Sequence, residues 1–203
     1  MTDPAAPPSA SRRSFSTGLA ALWAAWFVGL GAGLAGLSRY AGAPGETAAA
    51  PARWPAASGI PRTAGQPTLI MFVHPHCPCS RASLRELEKI LARAGGGGPA
   101  YVVFSEPPGA EPGWADGDLL RAAAAIPGVE VIADGGGAET RRFGAATSGQ
   151  VLLYDAGGAE VFRGGITPAR AHEGDNAGER AVLSLLTHAG TGAAETPVFG
   201  CPL

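Results

Sequence analysis

Charge is scarce in this 203-residue chain. Only 16% of its residues are Asp, Glu, Lys or Arg, and the formal net charge is −2. There is no basic stripe and no acidic tail, so neither nucleic-acid binding nor a solvating charged region is indicated. No internal repeat is visible, which excludes a repeat array. Cysteine is rare: there are three, an odd count. That excludes a disulfide scaffold and suits a working pair with one further thiol. Hydrophobic residues are plentiful at 46%, enough for a core and for one segment outside it.

Residues 18–37 contain no charge at all: GLAALWAAWFVGLGAGLAGL. As a helix this run spans about 30 Å, the thickness of a bilayer core. Arg12 and Arg13 precede it and favour a cytoplasmic N-terminus over residues 1–17. Ser11-Arg12-Arg13-Ser14-Phe15 also resembles a twin-arginine export signal. Ala41-Gly42-Ala43 has the small residues of a cleavage site, but Pro44 follows directly and disfavours cutting. The segment is therefore read as an uncleaved, single-pass signal anchor rather than a removed signal peptide. The cytoplasmic membrane is then a partner, and the body of the chain lies beyond it in the periplasm, where disulfides persist. Residues 38–66 are rich in Ala, Pro and Gly without period and read as a flexible tether. Trp54 and Ile60 are the residues expected to dock on the domain that follows.

Within residues 67–203 the richest stretch is His74-Pro75-His76-Cys77-Pro78-Cys79-Ser80. It follows an apolar run, Thr68-Leu69-Ile70-Met71-Phe72-Val73, that reads as a buried strand. It precedes residues 81–94, where Leu84, Leu87, Ile90 and Leu91 fall on one helical face. Two sulfurs thus sit where a strand ends and a helix begins. Unpaired N–H groups and the positive end of the helix dipole favour a thiolate there. Further strands are expected at residues 101–105 and 129–134. A hairpin is expected from 150–155 to 160–163 across Ala156-Gly157-Gly158-Ala159. Helices are expected at 116–125, at 139–143 as a single turn, and at 177–188 with Asp175 or Asn176 as N-cap. Strands alternating with helices, then a hairpin, predict a central mixed sheet flanked by helices.

This order, with cysteines at the first helix of the domain, resembles the thioredoxin fold. The local motifs resemble RedB-type proteins, which are bacterial, membrane-tethered members of the thioredoxin-like superfamily. They are residues 74–84, Phe143-Gly144-Ala145-Ala146-Thr147-Ser148-Gly149, Gly164-Gly165-Ile166-Thr167 and Val198-Phe199-Gly200-Cys201-Pro202-Leu203. Two departures from ordinary thioredoxins matter. The cysteines are spaced C-x-C instead of C-x-x-C. The stretch before the hairpin is Thr147-Ser148-Gly149, where thioredoxins carry a cis-proline that helps bind substrates and keeps metals off the dithiol.

Two functions follow as expectations. The first is a membrane-anchored thiol–disulfide oxidoreductase that needs no cofactor. Cys77 is its attacking thiolate and Cys79 its resolving thiol, with Cys201 as the alternative resolver. A C-x-C disulfide closes a small ring stiffened by Pro78, so it departs from preferred geometry and is easily reduced. The second is a copper-handling protein for assembly of a respiratory or related membrane complex. Cys77 and Cys79 supply soft thiolates for Cu(I), with His74 and His76 on one side of an extended segment and Cys201 or His172 completing the shell. Copper chaperones of the SCO type combine two cysteines with a distant histidine, although at C-x-x-x-C spacing. Either function needs a redox or metal-receiving partner protein. Cys201 is expected to dock near the pair through Val198 and Phe199, against the bland alternative of a free thiol on a frayed tail.

Overall fold

The computed structural model describes residues 11–187 and 195–203. Residues 1–10 of the expected cytoplasmic segment, and His188 at the expected end of the last helix, lie outside the described residues. The chain divides into two compact units, Met1–Tyr40 and Ala41–Leu203.

The first unit is built on α1 (Ser11–Gly42). Its stretch Thr17–Gly42 is long and apolar enough to cross a membrane. Leu22, Trp23, Trp26, Phe27, Val28 and Leu37 are all exposed. A helix that is apolar all round calls for an apolar surrounding.

The second unit runs β1 (Thr68–Val73), α2 (Ser80–Ala94), β2 (Ala100–Ser105), α3 (Asp118–Ala124) and β3 (Val129–Asp134). A 3-10 turn (Gly135–Gly137), α4 (Ala138–Arg142), β4 (Gln150–Tyr154), β5 (Glu160–Gly164) and α5 (Ala177–Leu186) complete it. The sheet order is β3-β2-β1-β4-β5. β1, β2 and β3 are parallel, and β4 and β5 join antiparallel, with Val73 beside Phe104 and Phe72 beside Gln150. The apolar run of β1 is buried at every position, as a central strand with both faces covered must be.

Alternation along β1 divides the core. Leu69, Met71 and Val73 face a cluster closed by Leu84, Leu87 and Ile90 of α2, Leu119 and Ala123 of α3, and Val182 and Leu186 of α5. Two crossovers in the same direction, β1-α2-β2 and β2-α3-β3, place both helices on this one face when each is right-handed. Gly95, at φ 65, ends α2 in the left-handed conformation that glycine adopts without cost. Asn176 caps α5 by accepting the Glu179 N–H at 2.9 Å. α3 and α5 are each shorter than the periodicity suggests, since α3 begins only at Asp118 and α5 stops at Leu186.

The opposite face carries Ile70, Phe72, Tyr101, Val103, Leu152 and Tyr154, and Phe143, at the end of α4 (Ala138–Arg142), packs on them. α4 is only five residues long and leaves much of it uncovered. The segment expected to be a flexible tether fills the space, which corrects that expectation. Trp54 meets Phe143 and Tyr154 edge-on, each at 5.2 Å between ring centroids, and Ile60 is 3% exposed. Backbone bonds hold the same segment: Glu160 N–H donates to Ala52 O at 3.0 Å, and Trp54 N–H to Gly158 O at 2.8 Å. The physical reason is that an aromatic sheet face must be buried, and no long helix is present to do it.

Candidate functional site

β1 ends at Val73, and the chain turns at once. Cys77 N–H donates to His74 O at 3.0 Å, and Ser80 N–H to Cys77 O at 3.1 Å. This compact turn hands the chain to α2 with Cys79 as N-cap residue. It also replaces the extended arrangement expected for His74 and His76. His76 N–H instead donates to His74 Nδ1 at 3.1 Å, and both rings meet Trp114 edge-on, at centroid distances of 5.5 and 4.7 Å.

Cys77 is 1% exposed and Cys79 8%, while Cys201 is half-buried. All three are unbridged thiols. The sulfurs of Cys77 and Cys201 lie 3.0 Å apart and share a hydrogen bond. The tail that carries Cys201 is laid down as a strand against residues 146–148. Ser148 N–H donates to Cys201 O at 2.8 Å, Leu203 N–H to Ala146 O at 3.0 Å, and Thr147 pairs with Pro202 in an antiparallel bridge. The Arg170 guanidinium donates to Gly200 O. Gly200 is required there, because a Cβ would stand 1.9 Å from Ser148 O. Val198 is fully buried, whereas Phe199 is partly exposed.

Electrostatics divides the three thiols. Burial opposes ionisation of Cys77, but its sulfur also receives hydrogen bonds from the Cys201 thiol, the Ser80 hydroxyl and the N–H groups of Cys201 and Cys79. Together these donors bring its pKa below the ordinary 9.0. Burial, and then the charge on Cys77, raise Cys79. Burial, and then the hydrogen bond to Cys77 and the nearby charges, push Cys201 up to about 12, against the pull of Arg170. The arrangement thus favours charge on Cys77 over the other two sulfurs, with Cys201 against it and Cys79 just beyond Pro78.

Ser148 belongs to this site, and sequence reasoning missed it. Its Oγ accepts the His74 N–H at 2.8 Å and lies 2.7 Å from Ser80 Oγ, with both hydroxyls buried. The bond from His74 uses Ser148 as acceptor, so its own O–H is available to donate to Ser80. The Ser80 O–H then points to the Cys77 sulfur. The available signal was position: Ser148 stands in the stretch where ordinary thioredoxins have proline.

The histidines do not gather around the sulfurs. Burial, and then His76, hold His74 below the usual imidazole range. His172 is exposed, with Nδ1 2.6 Å from Arg170 O. Among the described residues, no group of three or more His, Cys, Asp or Glu side chains is placed to hold a metal ion. Beside the turn lies a cavity of about 360 Å³ whose lining includes His74, Trp114, Pro107, Arg141 and Leu203. It opens beyond the carboxyl ends of the parallel strands, where sheets of this kind receive ligands.

A mixed sheet of this order, with its cysteines where β1 passes into α2, is a thioredoxin-like fold. No family model matches the sequence, and no curated protein does either. Among solved structures, the chain is similar to a hypothetical protein, SMc02350, from Sinorhizobium meliloti 1021. They share 24% identity over 79% of this chain and 93% of that one, with a TM-score of 0.53. It is similar also to an uncharacterized conserved protein from Geobacillus kaustophilus, at 19% identity and TM-score 0.56 over 79% and 91%. A secreted Mycobacterium tuberculosis disulfide oxidoreductase homologous to E. coli DsbE overlaps less, at 13% identity and TM-score 0.42 over 62% and 83%.

Proposed function

We propose that this protein is a thiol–disulfide oxidoreductase in which Cys77 and Cys201 form the redox pair. The 3.0 Å approach of their sulfurs carries the reading. A disulfide bond is about 2.05 Å long, so closure needs roughly 1 Å of travel. Cys77 is the sulfur whose surroundings favour the thiolate, the reacting form in exchange. Cys79 is less well placed to pair with it, since one residue separates them and Pro78 stiffens the link. Burial, and then the charge on Cys77, make Cys79 the harder of the two to ionise. The resemblance of the local motifs to RedB-type proteins and the apolar stretch Thr17–Gly42 support a domain held at a bacterial inner membrane on the periplasmic side.

The test is a redox titration of the full-length protein in detergent, from about −350 to −100 mV, with thiol alkylation and peptide mapping at each potential. A single two-electron transition that joins Cys77 to Cys201 is expected, and a Cys77→Ser chain should lose exchange with a model dithiol. Thiols that stay reduced across the whole range would overturn the reading. Full-length chain that leaves the membrane fraction in alkaline carbonate would overturn the anchor.

A second reading, delivery of Cu(I) as cargo, is favoured by one observation: soft sulfurs converge from two distant parts of the chain. The donors would be the two sulfurs of Cys77 and Cys201. Reduced protein should then withdraw Cu(I) from a moderate chelator, and Cys201→Ser should weaken that at least tenfold, by about 1.4 kcal/mol. Equal retention by both chains would dismiss it.

A further inference from the structure

We propose that a partner exchanges disulfides at the Cys201 sulfur, and that Cys77 is the inner sulfur, which never bonds to the partner. The inference rests on the reading that Cys77 and Cys201 are the redox pair, and it reverses the role expected from sequence for Cys77. Access decides it. Cys77 is 1% exposed, with Cys201 across it and Ser80 and the Cys79 amide on its remaining sides. Cys201 keeps part of its surface in solvent and is followed by the exposed Pro202. Exchange requires the incoming sulfur to approach one sulfur of the disulfide while the other departs, so the rate depends on which sulfur can be reached.

The leaving group points the same way. Attack at Cys201 expels Cys77, whose thiolate finds the Ser80 hydroxyl and two backbone amides already aimed at it. Attack at Cys77 would expel Cys201, whose thiolate is disfavoured first of all by burial. The sulfur of lower pKa leaves faster. Access and leaving ability therefore agree on one sulfur.

The full sequence balances. A partner thiolate attacks Cys201 Sγ and a new S–S bond forms. The Cys77–Cys201 bond breaks and its electron pair stays on Cys77. The partner's second thiol gives its proton to water and attacks the partner's first sulfur, which releases Cys201. Cys201 then takes a proton and returns to its place as donor to Cys77. The partner dithiol has lost two electrons and the pair has gained them. A partner disulfide oxidises the reduced protein by the same steps reversed. The tail is the moving part, and residues 146–148 and Arg170 are the cradle that returns it. The partner this surface fits is a protein or small molecule with a protruding thiol or disulfide, since no buried one can meet Cys201.

The test uses full-length Cys79→Ser protein, oxidised and then mixed briefly with glutathione. Glutathione has one thiol and cannot resolve the adduct itself. Acid quenching and peptide mapping then locate it. The expected result is glutathione on Cys201, about tenfold or more over Cys77, with Cys77 recovered as a thiol. Glutathione on Cys77 in equal or greater amount, or on neither cysteine, would overturn the proposal. A Cys79→Ala chain mapped in parallel guards against an effect of the new hydroxyl. If neither oxidised chain contains a Cys77–Cys201 disulfide, the redox-pair reading fails, which mapping before glutathione is added reveals separately.

Discussion

Replacing Ser80 with alanine removes one of the four donors that hold the Cys77 thiolate. A hydrogen bond to a charged group contributes about 1.5–3 kcal/mol. One pKa unit corresponds to about 1.36 kcal/mol, so the Cys77 pKa should rise by roughly 1–2 units in the Ser80→Ala chain. Ser148→Ala should act in the same direction but less, by under about 1 unit, because the Ser80 donor survives and loses only its orientation. Alkylation is a poor assay here, since the sulfur is sealed. Thiolate ultraviolet absorbance of the reduced protein, followed against pH and corrected with a Cys77→Ser chain, reads the charge directly. The sign extends to stability. Because Cys77 is lowered in the folded protein, the unfolded chain binds more protons between that value and 9.0, and reduced protein gains stability as pH rises through this window. The gain is lost as pH falls through the folded value. Cys201, pushed up to about 12, acts oppositely, and stability falls as pH rises from 9.0 towards 12. Ser80→Ala should narrow the first window and leave the second. A Cys77 titration unmoved by Ser80→Ala would refute the hydrogen-bond account.

Gly200→Ala should lift the tail, because its Cβ cannot share space with Ser148 O. Iodoacetamide should then reach Cys77 at least about tenfold faster than in wild type, by kinetic mass spectrometry, and an unchanged rate would mean the strand pairing tolerates the clash. Phe143→Ala should cost about 3–5 kcal/mol in urea unfolding, since a fully buried ring between Phe72, Trp54 and Tyr154 is lost. A cost under about 1 kcal/mol would show that this aromatic layer can collapse without it. Asn176→Ala should cost more than about 1 kcal/mol in the same assay, and Asn176→Asp should not recover it, because a carboxylate keeps the cap to Glu179 N–H but cannot donate to Ile166 O and Gly174 O.

Elements with a strong period were legible from sequence. The runs of β1 and β2 are uninterrupted and apolar, as strands buried on both faces must be, and the four leucine and isoleucine positions of α2 fixed its inner face. The hairpin was marked by Gly157 and Gly158. What escaped were contacts made by the backbone. Ala52 and Gly158 hold the covering segment through a carbonyl or an amide, and these groups are identical in every residue. Of that segment only Trp54 and Ile60 had a visible signal. Ser148 escaped for a related reason: a serine before a strand is ordinary until the fold brings Ser80 within 2.7 Å. The three cysteines were legible as the chemistry. That Cys77 meets Cys201 was not, because a separation of 124 residues is closed by strand pairing that no local pattern reports. The histidines misled because their spacing was read as extended, while the turn at Cys77 folds them onto Trp114.

The covering of the aromatic sheet face by residues 50–60 bears on how a water-soluble fragment should be cut. A fragment that begins at residue 67 would keep every strand and helix of the domain and still bare Phe143, Tyr154 and Phe72 to water, inviting self-association. A fragment that begins at residue 41 retains the lid it was folded with. Proteolysis within the apparent linker would therefore not liberate an intact domain; it would unroof one.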